Sequence, residues 1–336
     1  MQMDDFDADR WRLTATKIAD DVLFPAAMEV ELAERVPRSQ LDLLASARLY
    51  GIAAPPEFGG LGLERFDALG DVVAALAGGC LASTFIWIQH LAPIIAVSTT
   101  ATPPFRDEWL GPLARGDRRS GIAMAGIRPG PGRIRAQAVP GGFTLSGATD
   151  WVTGWGLIDT LLVGAVDEQD IVHFFLIDAL DSPSLITTHP QLLAVQASST
   201  VTLRFDEHFV PAERLGRTQP YAEWVAGDAG GSALNGFLAL GVAARCARLL
   251  QTDALDVDLA RCRGALLTAA SGDVPAARAD TSLLALRAAT QLMVQTGSRS
   301  MLADQHAGRL YREAGFLLVF GSRPAIKSAL QERLRA

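Results

Sequence analysis

Apolar residues recur along this chain with two different periods, and the places where the period changes divide it into three. Trp11, Ala15, Ile18 and Val22 lie three or four residues apart, the spacing of one helix face. Ser39-Gln-Leu-Asp42 then has the pattern of a helix N-cap, and Gly51 is placed to stop that helix. Helical spacing dominates to about residue 120. From Ser120 to Arg217 the apolar positions come instead in short runs, Phe143–Ser146, Thr160–Val166 and Ile171–Ile177, separated by the turn formers Pro140-Gly-Gly142 and Asp167-Glu-Gln-Asp170. Beyond Trp224 the helical period returns in Phe237–Leu250, in Leu255, Leu259, Cys262 and Leu266, in Leu283–Val294 and in Arg309–Phe320, and Pro324 opens a last helix after Gly321. The pattern predicts an α+β multidomain protein: an all-α N-terminal domain (1–120), a central antiparallel β-barrel or sandwich (121–217) and a C-terminal helical bundle (218–336).

A length of 336 residues is more than one core usually fills, in keeping with that division. A formal net charge of -7 and the absence of any Lys or Arg block argue against nucleic acid and against an anionic membrane surface, leaving small molecules and other proteins as partners. The apolar window Cys80–Val97 has the length of a membrane span, but Gln89, His90 and Pro93 interrupt it and no basic flanks anchor it. It reads as a buried core helix, with His90 a satisfied core histidine. Cys80, Cys246 and Cys262 lack metal-ligand spacing and read as reduced core residues; with the acidic start MQMDDFDADRW they predict a cytoplasmic protein without an export signal. No metal site is expected. The five histidines stand in no nucleophile signature, and Gly130-Pro-Gly132 is a tight loop rather than a phosphate loop, because proline donates no N–H.

Three segments carry a resemblance. Leu145–Ala165, LSGATDWVTGWGLIDTLLVGA, joins a strand to a Trp-Val-Thr-Gly turn and a second strand; Gly51–Leu63, GIAAPPEFGGLGL, is a glycine-rich loop after a helix; Leu203-Arg-Phe-Asp206 and Val210-Pro-Ala-Glu-Arg-Leu215 close the β region. In this order and separation they resemble the acyl-CoA dehydrogenases, over about two thirds of the chain. The resemblance implies an FAD-dependent α,β-desaturation of an acyl-CoA thioester. It also implies an oligomer, of like chains or with an acyl-CoA dehydrogenase-like sister subunit, and an electron-acceptor protein. Residues two apart on a strand share a face, so Trp151 and Thr153 would both look at the flavin, the Thr hydroxyl near the hydride-accepting N5. Met124, Ala125 and Gly126 would supply backbone contacts to the flavin, and Gln295 and Gly297 the remains of a Gln-x-x-Gly-Gly element that reaches the adenosine end across a dimer.

The same resemblance exposes departures. Met124–Gly132 replaces a Thr-Glu-Pro-Gly-x-Gly-Ser-Asp loop, and Leu249–Leu255 replaces an Arg-x-x-Phe-Gly turn. Pairing Arg312-Glu-Ala314 with the family's Arg-Asp-Ala puts Gly321 on the usual catalytic Glu, and pairing Ala239-Leu-Gly241 with its Ala-x-Gly puts Leu234 on the alternative base position. The catalytic residue is therefore unknown, and Gly321 is left a substrate-binding role through its backbone N–H. Asp228 and Glu313, ~9 and ~12 Å along a helix from those positions, read as solvated or capping acids. A Glu placed at Gly321 is expected to meet an apolar pocket and have its pKa raised. The readings are three: a dehydrogenase with its base elsewhere, a non-catalytic subunit of a heteromeric dehydrogenase, or a flavin monooxygenase or oxidoreductase on the same scaffold.

Overall fold

The first apolar stripe folds as a helix, α1 (Met3–Ile18), but a π-helical turn, Ala19–Leu23, inserts a residue before α2 (Phe24–Leu32). The insertion moves the buried face on by one position, so Leu23 is fully buried and Val22, expected on that face, is largely outside it. The structure, a computed structural model, describes residues 3–62, 65–100, 102–129, 133–228, 232–321 and 323–335. Helix α3 (Arg38–Ser46) begins after Pro37 with no side-chain cap; the cap expected from Ser39 does not form, and Asp42 instead binds Arg119. Gly51 does not end this helix either. It lies in a 3-10 turn, Leu49–Gly51, where a Cβ would stand 2.5 Å from the Ala114 carbonyl oxygen, so glycine is required by close approach.

Four further helices complete the N-terminal part: α4 (Phe66–Gly79), α5 (Leu81–Gln89), α6 (Leu91–Ser98) and α7 (Pro103–Arg115). The apolar window is thus α5 and α6, and every residue of α5 is buried in protein. Leu81–Ser98 has the length and composition of a membrane span, but 72% of it is covered by the fold. His90 joins the two helices. Its Nδ1 accepts the Ser120 N–H at 2.9 Å, which leaves Nε2 protonated to donate to the Leu113 carbonyl at 3.0 Å. Burial lowers its pKa to about 4, so it is a neutral, satisfied core histidine.

Eight strands follow: β1 (Ser120–Ala123), β2 (Arg135–Val139), β3 (Gly142–Val152), β4 (Thr160–Val166), β5 (Ile171–Asp178), β6 (Leu185–Thr188), β7 (Val201–Pro211) and β8 (Leu215–Pro220). They run in the order β6-β7-β3-β2-β4-β5-β8, with β1 beside β4. Pairing is antiparallel except for β1 with β4 and a single parallel pair, Arg135 with Val166, between β2 and β4. That narrow link lets the sheet fold over on itself: Phe143 of β3 meets Phe175 of β5, ring centroids 5.1 Å apart, across the two halves. The expected turn at 167–170 is held by Asp167, whose Oδ1 accepts the N–H groups of Gln169 and Ile171.

The C-terminal part comprises α8 (Tyr221–Asp228), α9 (Ala233–Leu250), α10 (Asp256–Thr268), α11 (Val274–Thr296), α12 (His306–Val319) and α13 (Pro324–Arg333). All three cysteines are free and buried. Glu313 is neither solvated nor a cap. It lies in the core beside Arg309 at 2.5 Å, the two side chains 2% and 1% exposed, and burial pushes its carboxyl well above the usual range although Arg309 opposes the shift.

A buried pair of this kind is held less by net attraction than by the penalty of leaving either charge alone. Glu313→Leu is therefore expected to destabilise the fold by about 3–5 kcal/mol, and Arg309→Met/Glu313→Leu to restore stability to near the parent. Urea unfolding of the two variants checks this; a double variant no better than the single would contradict it.

Candidate active site

A cavity of about 860 Å³ opens where the three parts of the chain meet. Helices α5 and α6 give it an apolar side through Phe85, Ile88 and Ile95. The β-domain contributes Met124, Ala125, Arg128 and Trp151, and the C-terminal helices contribute Asp228, Asn235, Phe316, Gly321 and Arg323. Its size and its mostly apolar walls with a few converging polar groups are those of a small-molecule site.

Trp151 is the most unusual wall residue. It is 61% exposed, and its backbone is left-handed (φ 64°), a conformation that costs a non-glycine residue roughly 1–2 kcal/mol. The strand register against β7 breaks between Thr149 and Val152, so this bulge turns the Trp151 ring out to the cavity. The same bulge ends the simple alternation by which Trp151 and Thr153 were expected to share a face. Thr153 is buried and does not line the cavity; its hydroxyl lies 3.2 Å from that of Thr200, which lies 2.8 Å from that of Ser198.

Of the loop residues expected near a cofactor, Met124 and Ala125 reach the cavity wall. Gly126 lies behind it, packed against Ile134 and Thr149. Residues 130–132 of the Gly-Pro-Gly loop lie outside the described residues. Gln295 and Gly297 are exposed at the C-terminal end of α11, away from the cavity.

The opposite wall is where sequence reasoning was least accurate. Gly321 is on it, but the surroundings are cationic rather than apolar. A Cβ added there would lie 3.4 Å from Nη1 of Arg278 and 3.9 Å from Nη1 of Arg323 and Nδ2 of Asn235. A Glu at this position would have its pKa lowered by those guanidinium groups, contrary to the expectation of a raised one. Asp228 is not a solvated acid. Its carboxylate accepts from Arg323 Nε and Nη2 at 2.5 and 2.8 Å and from Arg128 Nε and Nη2 at 3.2 and 3.4 Å. Burial pushes the Asp228 carboxyl up, but the two arginines outweigh it and hold the group below its ordinary value. Leu234 also lines the cavity and brings no acid. Glu313 does not line it at all. Among the described residues Asp228 is thus the one carboxylate on the cavity wall, and it is tied to two cations.

The arginines were missed from sequence. A signal existed at Arg278, a cation set among small buried residues of α11 (Ala277, Ala279, Thr281, Ser282), where the helix pattern calls for an apolar side chain.

A family model described as the acyl-CoA dehydrogenase N-terminal domain matches residues 7–117. The mitochondrial short-chain specific acyl-CoA dehydrogenase of Bos taurus is 26% identical over 218 residues, covering 61% of this chain and 52% of that protein. The chain spans about half the length of the curated relatives it matches. Among solved structures, butyryl-CoA dehydrogenase from Megasphaera elsdenii superposes with a TM-score of 0.84 at 17% identity, covering 100% of this chain and 99% of that one. A glutaryl-coenzyme A dehydrogenase in its glutaryl-CoA complex gives 0.86 at 16% identity, covering 100% and 96%. These structural likenesses establish the shared fold. The N-terminal domain match and the curated relatives are in keeping with it: the chain is similar to acyl-CoA dehydrogenases in sequence as well as in fold.

Gly321 has φ +57°, and no neighbour stands closer than 3.4 Å to an added Cβ. Gly321→Ala is therefore expected to lose ~1 kcal/mol through backbone strain rather than crowding. Urea unfolding reads the loss directly; an unchanged or raised stability would show that this backbone relaxes without penalty.

Proposed function

We propose that this chain is an FAD-binding oxidoreductase of the acyl-CoA dehydrogenase type, acting at the α,β-carbons of an acyl thioester. The observation that carries the reading is Trp151, a large flat side chain held out to a cavity by a strained backbone, which is what a planar ring needs to stack on. Met124 and Ala125 border the same wall and would meet the ring's edge. Thr153 is not in this contact set, because its hydroxyl is engaged with Thr200. When bound, FAD supplies the two-electron acceptor for desaturation. The acyl chain would then lie between Trp151's side and the wall of Phe85, Phe316 and Gly321.

Desaturation also needs a proton acceptor at the α-carbon, with a pKa near the working pH. Asp228 is the wall carboxylate available, and its pairing with Arg323 and Arg128 makes it a weak base. This supports the second reading, in which the isolated chain binds flavin and thioester but desaturates slowly, and a sister subunit supplies the base. A protein electron acceptor, an oligomer and a cytoplasmic location belong to the same proposal.

The test is the visible spectrum of protein purified with excess FAD. The parent is expected to retain flavin through gel filtration, and Trp151→Gly to lose it while melting no lower than the parent, since glycine accepts φ 64° without strain. Parent protein that keeps no flavin in any oligomeric form, or a Trp151→Gly variant that keeps it in full, would overturn the cofactor assignment. In flavin-loaded protein, acyl-CoA is expected to shift the spectrum and bleach it only slowly under anaerobic conditions. Because Asp228 is held low, any bleaching that depends on it should not decline until the pH falls below its ordinary pKa of 3.8; Asp228→Asn identifies whether it does.

A further inference from the structure

We infer that the Gly321 end of the cavity binds an anion carried by the acyl group, so that the substrate is an acyl thioester bearing a carboxylate of its own. The inference rests on the acyl-thioester reading and narrows it. Three guanidinium groups, those of Arg128, Arg278 and Arg323, gather at this end, and a single carboxylate, Asp228, answers them. Asp228 is already shared between Arg128 and Arg323.

Arg278 is the residue left over. Its side chain is 1% exposed, Nη2 donates to the Phe320 carbonyl oxygen at 3.1 Å, and Nε and Nη1 have no hydrogen-bond partner among the described residues. A buried charge in this state is destabilising unless an opposite charge meets it. Nη1 stands 3.4 Å from the point where a side chain at Gly321 would begin, and Gly321 lines the cavity, so the absence of a side chain there leaves the guanidinium next to the cavity wall. Burial disfavours its charge, and Arg323 repels it from one side, which together lower its pKa to about 10 and leave it still protonated at neutral pH. No acid of the chain other than Asp228 lines the cavity among the described residues, so the missing counter-charge comes with the ligand. A carboxylate fits because its two oxygens match the parallel N–H groups of a guanidinium, and Asn235 adds an amide beside it. A neutral acyl chain would leave these donors unpaired.

The experiment is isothermal titration calorimetry of the whole protein, loaded with FAD, against malonyl-, succinyl- and glutaryl-CoA and against the neutral propionyl-, butyryl- and valeryl-CoA of equal carbon number. The CoA moiety is common to each pair and cancels. At least one anionic thioester is expected to bind about ten-fold more tightly than its neutral counterpart, the scale of a hydrogen bond to a charged group. Arg278→Met should abolish that preference without lowering the melting temperature, since it removes an unpaired charge at similar volume. If that variant does not fold, Arg278→Lys, which keeps the charge and loses the fork, should weaken the preference without erasing it. Neutral thioesters that bind as well as every anionic one, or a preference untouched by either substitution, would overturn the inference. Should no thioester of either kind bind, the acyl-thioester reading fails. Free succinate and glutarate then decide this one: an Arg278-dependent rise in melting temperature upholds the anion site, and its absence removes it.

Discussion

The structure depends on burying one helix on every side. Every residue of Leu81–Gln89 is buried, so each of its faces must find a different partner or border the cavity. Ser83 donates to Gln40 of α3 at 2.6 Å, and the Trp87 indole N–H donates to the Leu49 carbonyl at 3.2 Å, fixing the helix to the N-terminal part. His90, at its end, is bonded to Ser120 and so to the first strand of the β-domain. Phe85 meets Phe316 and Phe320 of the C-terminal part, ring centroids 5.2 and 4.8 Å apart. A helix buried this completely cannot reposition without exposing apolar area or orphaning these polar groups. It therefore fixes the relation of the three parts and the width of the cavity that opens between them.

The site then divides into two chemically distinct walls. One set of lining side chains is apolar and aromatic, Trp151 from the β-domain and Phe85 and Phe316 from the helical parts, and suits a planar ring and an acyl chain. The other is ionic, with Asp228 bridging Arg128 and Arg323 and with Arg278 behind Gly321, bonded to the Phe320 carbonyl but without a counter-charge among the described residues. The ionic wall takes the place where the resemblance puts a catalytic glutamate, so a position expected to carry negative charge is surrounded by positive charge. A carboxylate that is strongly paired is a poor proton acceptor, and an arginine that is unpaired is a strong anion receptor. The wall is better suited to holding a ligand than to removing a proton from it.

The order of helices, strands and helices was legible because periodicity reports which face of each element is buried, and β4 occupies Thr160–Val166 as its uninterrupted apolar run suggested. What periodicity could not convey was local irregularity. A π turn displaced Val22 from its expected face, and a bulge with a left-handed Trp151 separated Thr153 from the wall it was expected to share. Each is a single-residue slip, which in a strand reverses the face that follows and in a helix rotates it by about 100°. Glu313 and Asp228 were misjudged for another reason. Sequence alone gives no view of the long-range pair between Asp228 and Arg323, and although Arg309 stands one helical turn before Glu313, an i,i+4 pair reads as a solvated one until its burial is seen. The family resemblance found Gly321 by pairing residues; of the cations around it Arg323 stands close by in the sequence, but Arg278 comes from α11, far away along the chain.

A crystal structure of the protein grown with FAD tests the central claim most directly. The account predicts planar density stacked on the Trp151 ring, with Gly321 and the Arg278 guanidinium on the far side of the space that remains. Density for the ring elsewhere, or a Trp151 covered by protein with the cavity closed, would contradict it.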